Sequence, residues 1–203
     1  MNISLIGMRG AGKSNVARRL SVVTKRPVLS TDLLIEYDQD GKSITEILAS
    51  FDGDWRRFRD LEHRVVARVM KLDDVIVDCG GGVIVDLDSD GVEVFSERKV
   101  SLLQEGGPVV WLRGDIDALV DRIRLKELRA VQGRNQANRP PLTSGKSASD
   151  AQSLARIMRN RLPFYEHAAT VTVDIDGKER FEIADEILAV FSADLGVTLP
   201  TLP

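Results

Sequence analysis

The chain has 203 residues, 43% of them apolar and 29% charged, with a formal net charge of −3 and a single cysteine, Cys79. That length suits one domain with a sizeable core and is short for two, and one cysteine excludes an internal disulfide framework, so a reducing, cytoplasmic setting is expected. No stretch is long and apolar enough to cross a bilayer and no basic-then-apolar leader opens the chain, so neither membrane association nor a targeting segment is expected.

In chain order the first predicted element is a strand over 3–6 (ISLI), which runs straight into GMRGAGKS at 7–14 and a helix from Lys13 to Val22. Strands follow at 26–30 (RPVLS), 74–79 (DVIVDC), 108–112 (PVVWL) and 170–175 (TVTVDI). Four of the five are continuous Val/Ile-rich runs, as strands buried on both faces of a parallel sheet are; TVTVDI alternates, as an edge strand does. Helical patterns cover 44–50, 57–70, 116–129, 151–165 and 180–194. Alternation of strand and helix predicts an α/β fold of the P-loop NTPase, nucleoside-monophosphate-kinase-like kind. That fold is three-layer α/β/α around a five-stranded parallel sheet. Residues 130–149 lack periodicity and read as a long Gly/Pro/Ser-rich loop, and the VTLPTLP end reads as a frayed tail over 196–203. The expected organisation is one domain over 1–195, with an acceptor-binding region at about 31–65 and a lid at about 125–149.

GMRGAGKS satisfies G-x-x-x-x-G-K-[ST]. In such a loop the glycines let successive backbone N–H groups face phosphate oxygens, and the following helix adds its N-terminal dipole. Gly10, Ala11, Gly12, Lys13, Ser14 and Asn15 are the expected ATP contacts, with Lys13 at the β- and γ-phosphates and Ser14 offering its hydroxyl to Mg²⁺. The loop alone fits GTPases, ATP-driven machines and small-molecule kinases. No NKxD tetrapeptide occurs, the DxxG matches at Asp38–Gly41 and Asp88–Gly91 read as Asp-Gly turns, and the chain is short for a motor. A small kinase remains.

Six stretches in order carry a resemblance: the phosphate loop, STDLLIE (30–36) with GKSITEI (41–47), FRDLE (58–62), CGGGV (79–83), NRPPL (138–142) and RLPFY (161–165). The chain resembles the shikimate kinase family, which shows D-[ST]-D-x-x-I-E, G-x-S-I-x-E-I, F-R-x-x-E, G-G-G, R-P-L and R-x-P-x-Y in that order. The resemblance implies transfer of the ATP γ-phosphoryl to the 3-hydroxyl of shikimate by a monomer, with no nucleic-acid partner. It assigns Asp32 to the attacking hydroxyl, Arg59 and Arg161 to the acceptor carboxylate, Gly80, Gly81 and Gly82 to close backbone approach, Arg139 to the phosphates, and Arg122 to the adenine or phosphates. The residue chemistry agrees, since guanidinium forks suit carboxylates and phosphates.

Plainer readings stand beside these. Asp32 also fits a helix N-cap, Arg59 an i, i+3 pair with Glu62, the glycines a tight turn, and Arg161 a stem covering apolar surface. Arg56 and Arg57 compete with Arg59, because GDWRRFR is one residue longer than the usual motif. Between Arg122 and Arg161 ten Lys/Arg face two acids, which suits polyphosphate, nucleic acid or a solvated face. Ser30 stands where the family carries the first acid of D-[ST]-D. Asp78, at the end of the third strand, is the candidate to replace that acid and act on Mg²⁺ through water, or else caps the glycine turn. A kinase of another polyol acid such as gluconate, or a nucleotide-binding protein without catalysis, are the competing functions.

Overall fold

The computed structural model describes residues 1–132 and 151–195. In chain order it shows β1 (Ile3–Ile6), α1 (Lys13–Thr24), β2 (Val28–Ser30), α2 (Thr31–Asp38), α3 (Ile44–Ala49), α4 (Trp55–Val69), β3 (Ile76–Asp78), β4 (Val85–Leu87), β5 (Glu93–Phe95), α5 (Glu97–Gly106), β6 (Val109–Arg113), α6 (Ile116–Gln132), α7 (Ala151–Ala168), β7 (Val171–Asp174) and α8 (Arg180–Leu195). Five strands form one parallel sheet in the order β2-β3-β1-β6-β7, and β4 pairs with β5 in a separate antiparallel ribbon. All five expected strands are present, as the five-stranded parallel α/β reading requires. Central β1 is buried throughout, and edge strand β7 alternates as its sequence predicts.

Topology brings the carboxyl ends of the central strands together, the place where open parallel sheets bind ligands. The register pairs Leu5 with Asp78 across β1–β3 and Ser30 with Asp78 across β2–β3. Gly7 leaves β1 at φ 146°, and a β-carbon there would lie 2.8 Å from the Leu112 carbonyl oxygen of β6. Only glycine lets the loop begin this close to a neighbouring strand.

Three elements escape the sequence pattern. Helix α2 begins directly after the last residue of β2 and buries only Thr31 and Ile35, leaving Leu33 and Tyr37 exposed, so no apolar stripe marks it. Helix α5 hides its periodicity because one of its buried residues is Lys99. The β4–β5 ribbon is three residues per strand, too short to show alternation, and its connection is the expected Asp-Gly turn, with Asp88 Oδ1 accepting from the Asp90 and Val92 amides, both at 2.9 Å. The predicted loop from 130 also begins too early, since α6 continues to Gln132. The rest of that loop and the 196–203 tail lie outside the described residues.

Lys99 is fully buried and joins α5 to α4 and β4. Its Nζ donates to Glu62 Oε2 at 2.7 Å and to the Val85 carbonyl at 2.6 Å, with Asp86 Oδ1 3.6 Å away. An ammonium with three donors surrounded by three oxygens escapes the cost of an unpaired buried charge. Burial pushes the Glu62 carboxyl up, but Lys99 and Arg59 pull it further down, so its pKa ends below the ordinary 4.5. Lys99→Met should destabilise the protein by about 3–5 kcal/mol at neutral pH, because it strips a buried carboxylate of a partner. A carboxyl lowered on folding adds stability above 4.5 and loses it as the pH falls through the lowered value. Urea titrations at stepped pH should therefore show the gap between wild type and Lys99→Met narrowing below that point.

Candidate active site

The phosphate loop adopts its conformation through glycine: Gly10 and Gly12 have φ of 91° and 83°, and Gly12 caps α1. Lys13 is nearly buried and donates from Nζ to the Gly7 carbonyl at 2.8 Å and to the Met8 carbonyl at 3.2 Å. Ser14 Oγ donates to Asp78 Oδ2 at 2.6 Å, linking the first turn of α1 to the end of β3. Ala11 is buried and Asn15 is exposed, accepting from Arg18. Helix α6 passes beside the loop, with Leu119 and Ile123 against Gly10, and Arg122 lies on its exposed side.

Next to the loop a cleft is lined by Arg9, Asp32, Arg59, Gly81, Gly82 and Arg161, among others. The glycine run abuts the phosphate loop: a side-chain carbon on Gly81 would stand 3.4 Å from the Arg9 amide nitrogen. Asp32 is in the first turn of α2 but does not cap it. Ser30 does, its Oγ accepting from the Leu33 amide at 3.4 Å. The Asp32 carboxylate lies over Gly80, where a β-carbon would come within 2.3 Å of Oδ1. The Gly80 amide donates to Thr31 Oγ1 at 2.8 Å, so the start of α2 and the glycine run hold each other in place.

The three arginines of GDWRRFR separate cleanly. Arg56 reaches the Asp88 and Ser89 carbonyls and Arg57 stacks over Phe51, whereas Arg59 is buried and lines the cleft. Arg59 Nη1 donates to Glu62 Oε2 at 2.9 Å, so the i, i+3 pair exists, but inside the protein rather than on a solvated face. Its guanidinium sits above the Trp55 and Phe58 rings and over Gly82, where any β-carbon would collide with it. Arg59 Nε is buried with no hydrogen-bond partner among the described residues.

Arg161 approaches from α7. It is 3% exposed, so it does more than cover apolar surface with its stem. Its Nε donates to Glu93 Oε2 at 2.8 Å, its Nη2 to Glu93 Oε1, and its Nη1 to the Gly81 carbonyl at 3.4 Å. Tyr165, one turn on, donates its hydroxyl to the same carbonyl. Burial pushes the Glu93 carboxyl up, but the hydrogen bonds and charge of Arg161 hold it below its ordinary value. Cys79 is buried and its thiol is pushed up, first by burial and then by Asp78, which suits an inert packing residue.

The structure thus brings Lys13, Ser14 and Asp78 together on one side and Asp32, Gly80–Gly82, Arg59 and Arg161 on the other. Arg139 and residues 133–149 of the expected lid, 125–149, lie outside the described residues. No group of three or more His, Cys, Asp or Glu side chains forms a metal cage among the described residues. Glu93 and Lys99 escaped the sequence reading, and Tyr165, the last residue of RLPFY, was given no role in it. Tyr165 was detectable, being four residues from Arg161 on the same helical face. Glu93 and Lys99 carried no such signal.

The model of the shikimate kinase family matches residues 9–192. The shikimate kinase of Leptospira borgpetersenii is 37% identical over 92% of this chain and 96% of its own length. That of Dehalococcoides mccartyi is 31% identical over 92% of this chain and 90% of its own. Among solved structures, Acinetobacter baumannii shikimate kinase in complex with shikimate superposes with a TM-score of 0.74 at 24% identity, covering 95% of this chain and 93% of its own. The Aquifex aeolicus enzyme gives 0.68 at 21%, covering 96% and 98%. These two likenesses establish the fold, and the matches along the sequence establish more: the chain belongs to the shikimate kinase family.

Proposed function

We infer that this chain transfers the γ-phosphoryl group of ATP to the 3-hydroxyl of shikimate. Family membership supports the reaction, and one observation carries the site: a cleft holding a carboxylate and two buried guanidiniums opens directly beside the phosphate loop. Shikimate has one carboxylate and three hydroxyls. Arg59 and Arg161 match the carboxylate, and the partnerless Nε of Arg59 is a donor that an acceptor oxygen would satisfy.

With the acceptor so held, its 3-hydroxyl faces Asp32 and the γ-phosphate. The hydroxyl oxygen bonds to phosphorus as the bond from phosphorus to the β–γ bridging oxygen breaks, and the proton passes to Asp32. ADP leaves with the negative charge on its terminal phosphate, where Lys13 and the loop amides stabilise it. Arg139, carried over from N-R-P-P-L, adds positive charge at the phosphates, and the family pattern assigns Arg122 to the adenine or phosphates. Ser14 and Asp78 present hard oxygen donors that fit Mg²⁺, a cation that keeps several waters and needs few protein ligands. When bound, Mg²⁺ neutralises charge on the β- and γ-phosphates. Asp78 replaces the acid missing at Ser30, its register neighbour on β2. The Gly80 amide, already held by Thr31, argues against Asp78 as a mere cap of the glycine turn.

One chain supplies the whole cleft, so a monomer suffices. Two arginines of the basic segment are paired within the chain, Arg161 with Glu93 at the cleft and Arg159 with Asp117 on the surface, which supports a small-molecule site over a nucleic-acid surface. No helix among the described residues is long and apolar enough to cross a membrane.

ADP release with ATP and Mg²⁺ should be seen with shikimate and not with gluconate or nucleosides; activity with gluconate alone would overturn the acceptor assignment. Lys13→Ala should keep its fold by circular dichroism yet lose most turnover, and a kcat within a few-fold of wild type would exclude the phosphate-loop role. Arg59→Ala and Arg161→Ala should each weaken shikimate by about 1.5–3 kcal/mol in kcat/KM, with far less change for ATP.

Asp78→Asn should raise the Mg²⁺ concentration needed both for half activity and for tight nucleotide binding by calorimetry, with shikimate KM nearly unchanged. Adding Ser30→Asp should recover part of the loss, since aspartate also caps a helix and keeps α2 intact. An unaltered Mg²⁺ dependence of nucleotide binding in Asp78→Asn would refute its role.

A further inference from the structure

Glu93 is the unexpected group at the acceptor cleft. It opens β5, opposite Leu87 of β4, in a ribbon with no place in the parallel sheet. Its carboxylate takes Arg161 side-on through Nε and Nη2. A guanidinium has five N–H donors in a fixed plane. Three of them are in the bonds to Glu93 and to the Gly81 carbonyl. One N–H on each terminal nitrogen is left.

The ribbon is built to keep Glu93 still. Phe95 packs on α7 itself, with its ring 6.0 Å from Phe164 and 4.9 Å, edge-on, from His167. The Ser96 amide donates to the Ile84 carbonyl at 2.9 Å, and Ser96 Oγ donates to Asp86 at 2.6 Å. Asp86 is in turn gripped by Arg98 through Nε at 2.9 Å and Nη2 at 2.8 Å. Ribbon and helix are therefore locked to each other, with Glu93 and Arg161 meeting across the joint. A long side chain such as arginine loses much rotamer freedom when it orders on a ligand. A partner that orders it beforehand removes that cost from binding.

We propose that Glu93 is a positioning residue for acceptor recognition: it holds Arg161 by one edge of the guanidinium so that the remaining N–H groups meet the acceptor's carboxylate. This rests on the reading of Arg161 as an acceptor contact. It assigns to the β4–β5 ribbon a part in the site. Arg59 has the corresponding partner in Glu62, so Arg59 and Arg161 are each held by their own carboxylate and keep a face for the ligand.

The test is steady-state kinetics on the full chain for Glu93→Gln, Arg161→Ala and the double variant, varying shikimate and ATP separately. Glu93→Gln is isosteric at a partly exposed position and keeps one acceptor oxygen, and thermal unfolding run alongside checks that it stays folded. The expected result is a shikimate KM raised about tenfold, with ATP KM and kcat changed far less. In the Arg161→Ala background the same substitution should have almost no further effect, because a positioning residue acts only through the group it positions. A general weakening of the ribbon would instead lower stability and kcat in both backgrounds and would overturn the proposal. An unchanged shikimate KM would overturn it, as would a lowered one, which would make Glu93 a competitor of the acceptor carboxylate. If Arg161→Ala itself leaves shikimate KM unchanged, the underlying assignment of Arg161 fails; if Arg161→Ala raises it and Glu93→Gln does not, only the role of Glu93 fails.

Discussion

Burying two guanidiniums beside a phosphate site is the constraint around which this protein is organised. A cation removed from water without a partner costs several kcal/mol, so Arg59 and Arg161 survive at 5% and 3% exposure only because Glu62 and Glu93 lie against them. Glu62 in turn is too deeply buried to stand alone with one arginine, and Lys99 balances it from α5. Asp86 lies 3.6 Å from the same ammonium, so Arg59, Arg161 and Lys99 face the three carboxylates of Glu62, Glu93 and Asp86.

The phosphate side solves a related problem with the opposite sign. Its carboxylate, Asp78, is 7% exposed and ends β3 next to the loop that must accept several negative charges. A hydrogen bond from Ser14 partners it, and Lys13 is close enough to lower the neighbouring thiol's pKa against the pull of burial and Asp78. Ser30 and Asp78 are register neighbours on adjacent parallel strands, 48 residues apart in the chain, and the proposed placing of the metal-side acid at Asp78 leaves Ser30 available to cap α2.

The two halves are tied through backbone rather than side chains. Glycines at 80–82 bring one strand end against Asp32, the phosphate loop and Arg59 in turn, at separations that leave no room for a β-carbon at Gly80 or Gly82. The Gly81 carbonyl then accepts from both Arg161 and Tyr165 of α7. A small shift of this one turn would therefore move the acid, the loop and both arginines together.

Much of this was legible in the chain itself. The phosphate loop, the five strands and the edge character of β7 follow from local pattern, that is, continuous Val/Ile runs and glycines where the backbone must turn, whereas the grouping of Asp32, the glycine run, Arg59 and Arg161 came from the resemblance to the shikimate kinase family. Local pattern could not choose among Arg56, Arg57 and Arg59, because the choice depends on which side of α4 faces the sheet. It could not reveal α5, whose buried face contains a lysine that looks solvent-bound until Glu62 is beside it. Nor could it find Glu93, which is 68 residues from Arg161 and meets it only because a short ribbon docks on α7. Sequence determined where phosphate binds, since that chemistry is written in contiguous backbone. Only tertiary structure decided how the cleft's arginines Arg59 and Arg161 are held, since a buried charge is tolerable or not according to what distant segments bring to it.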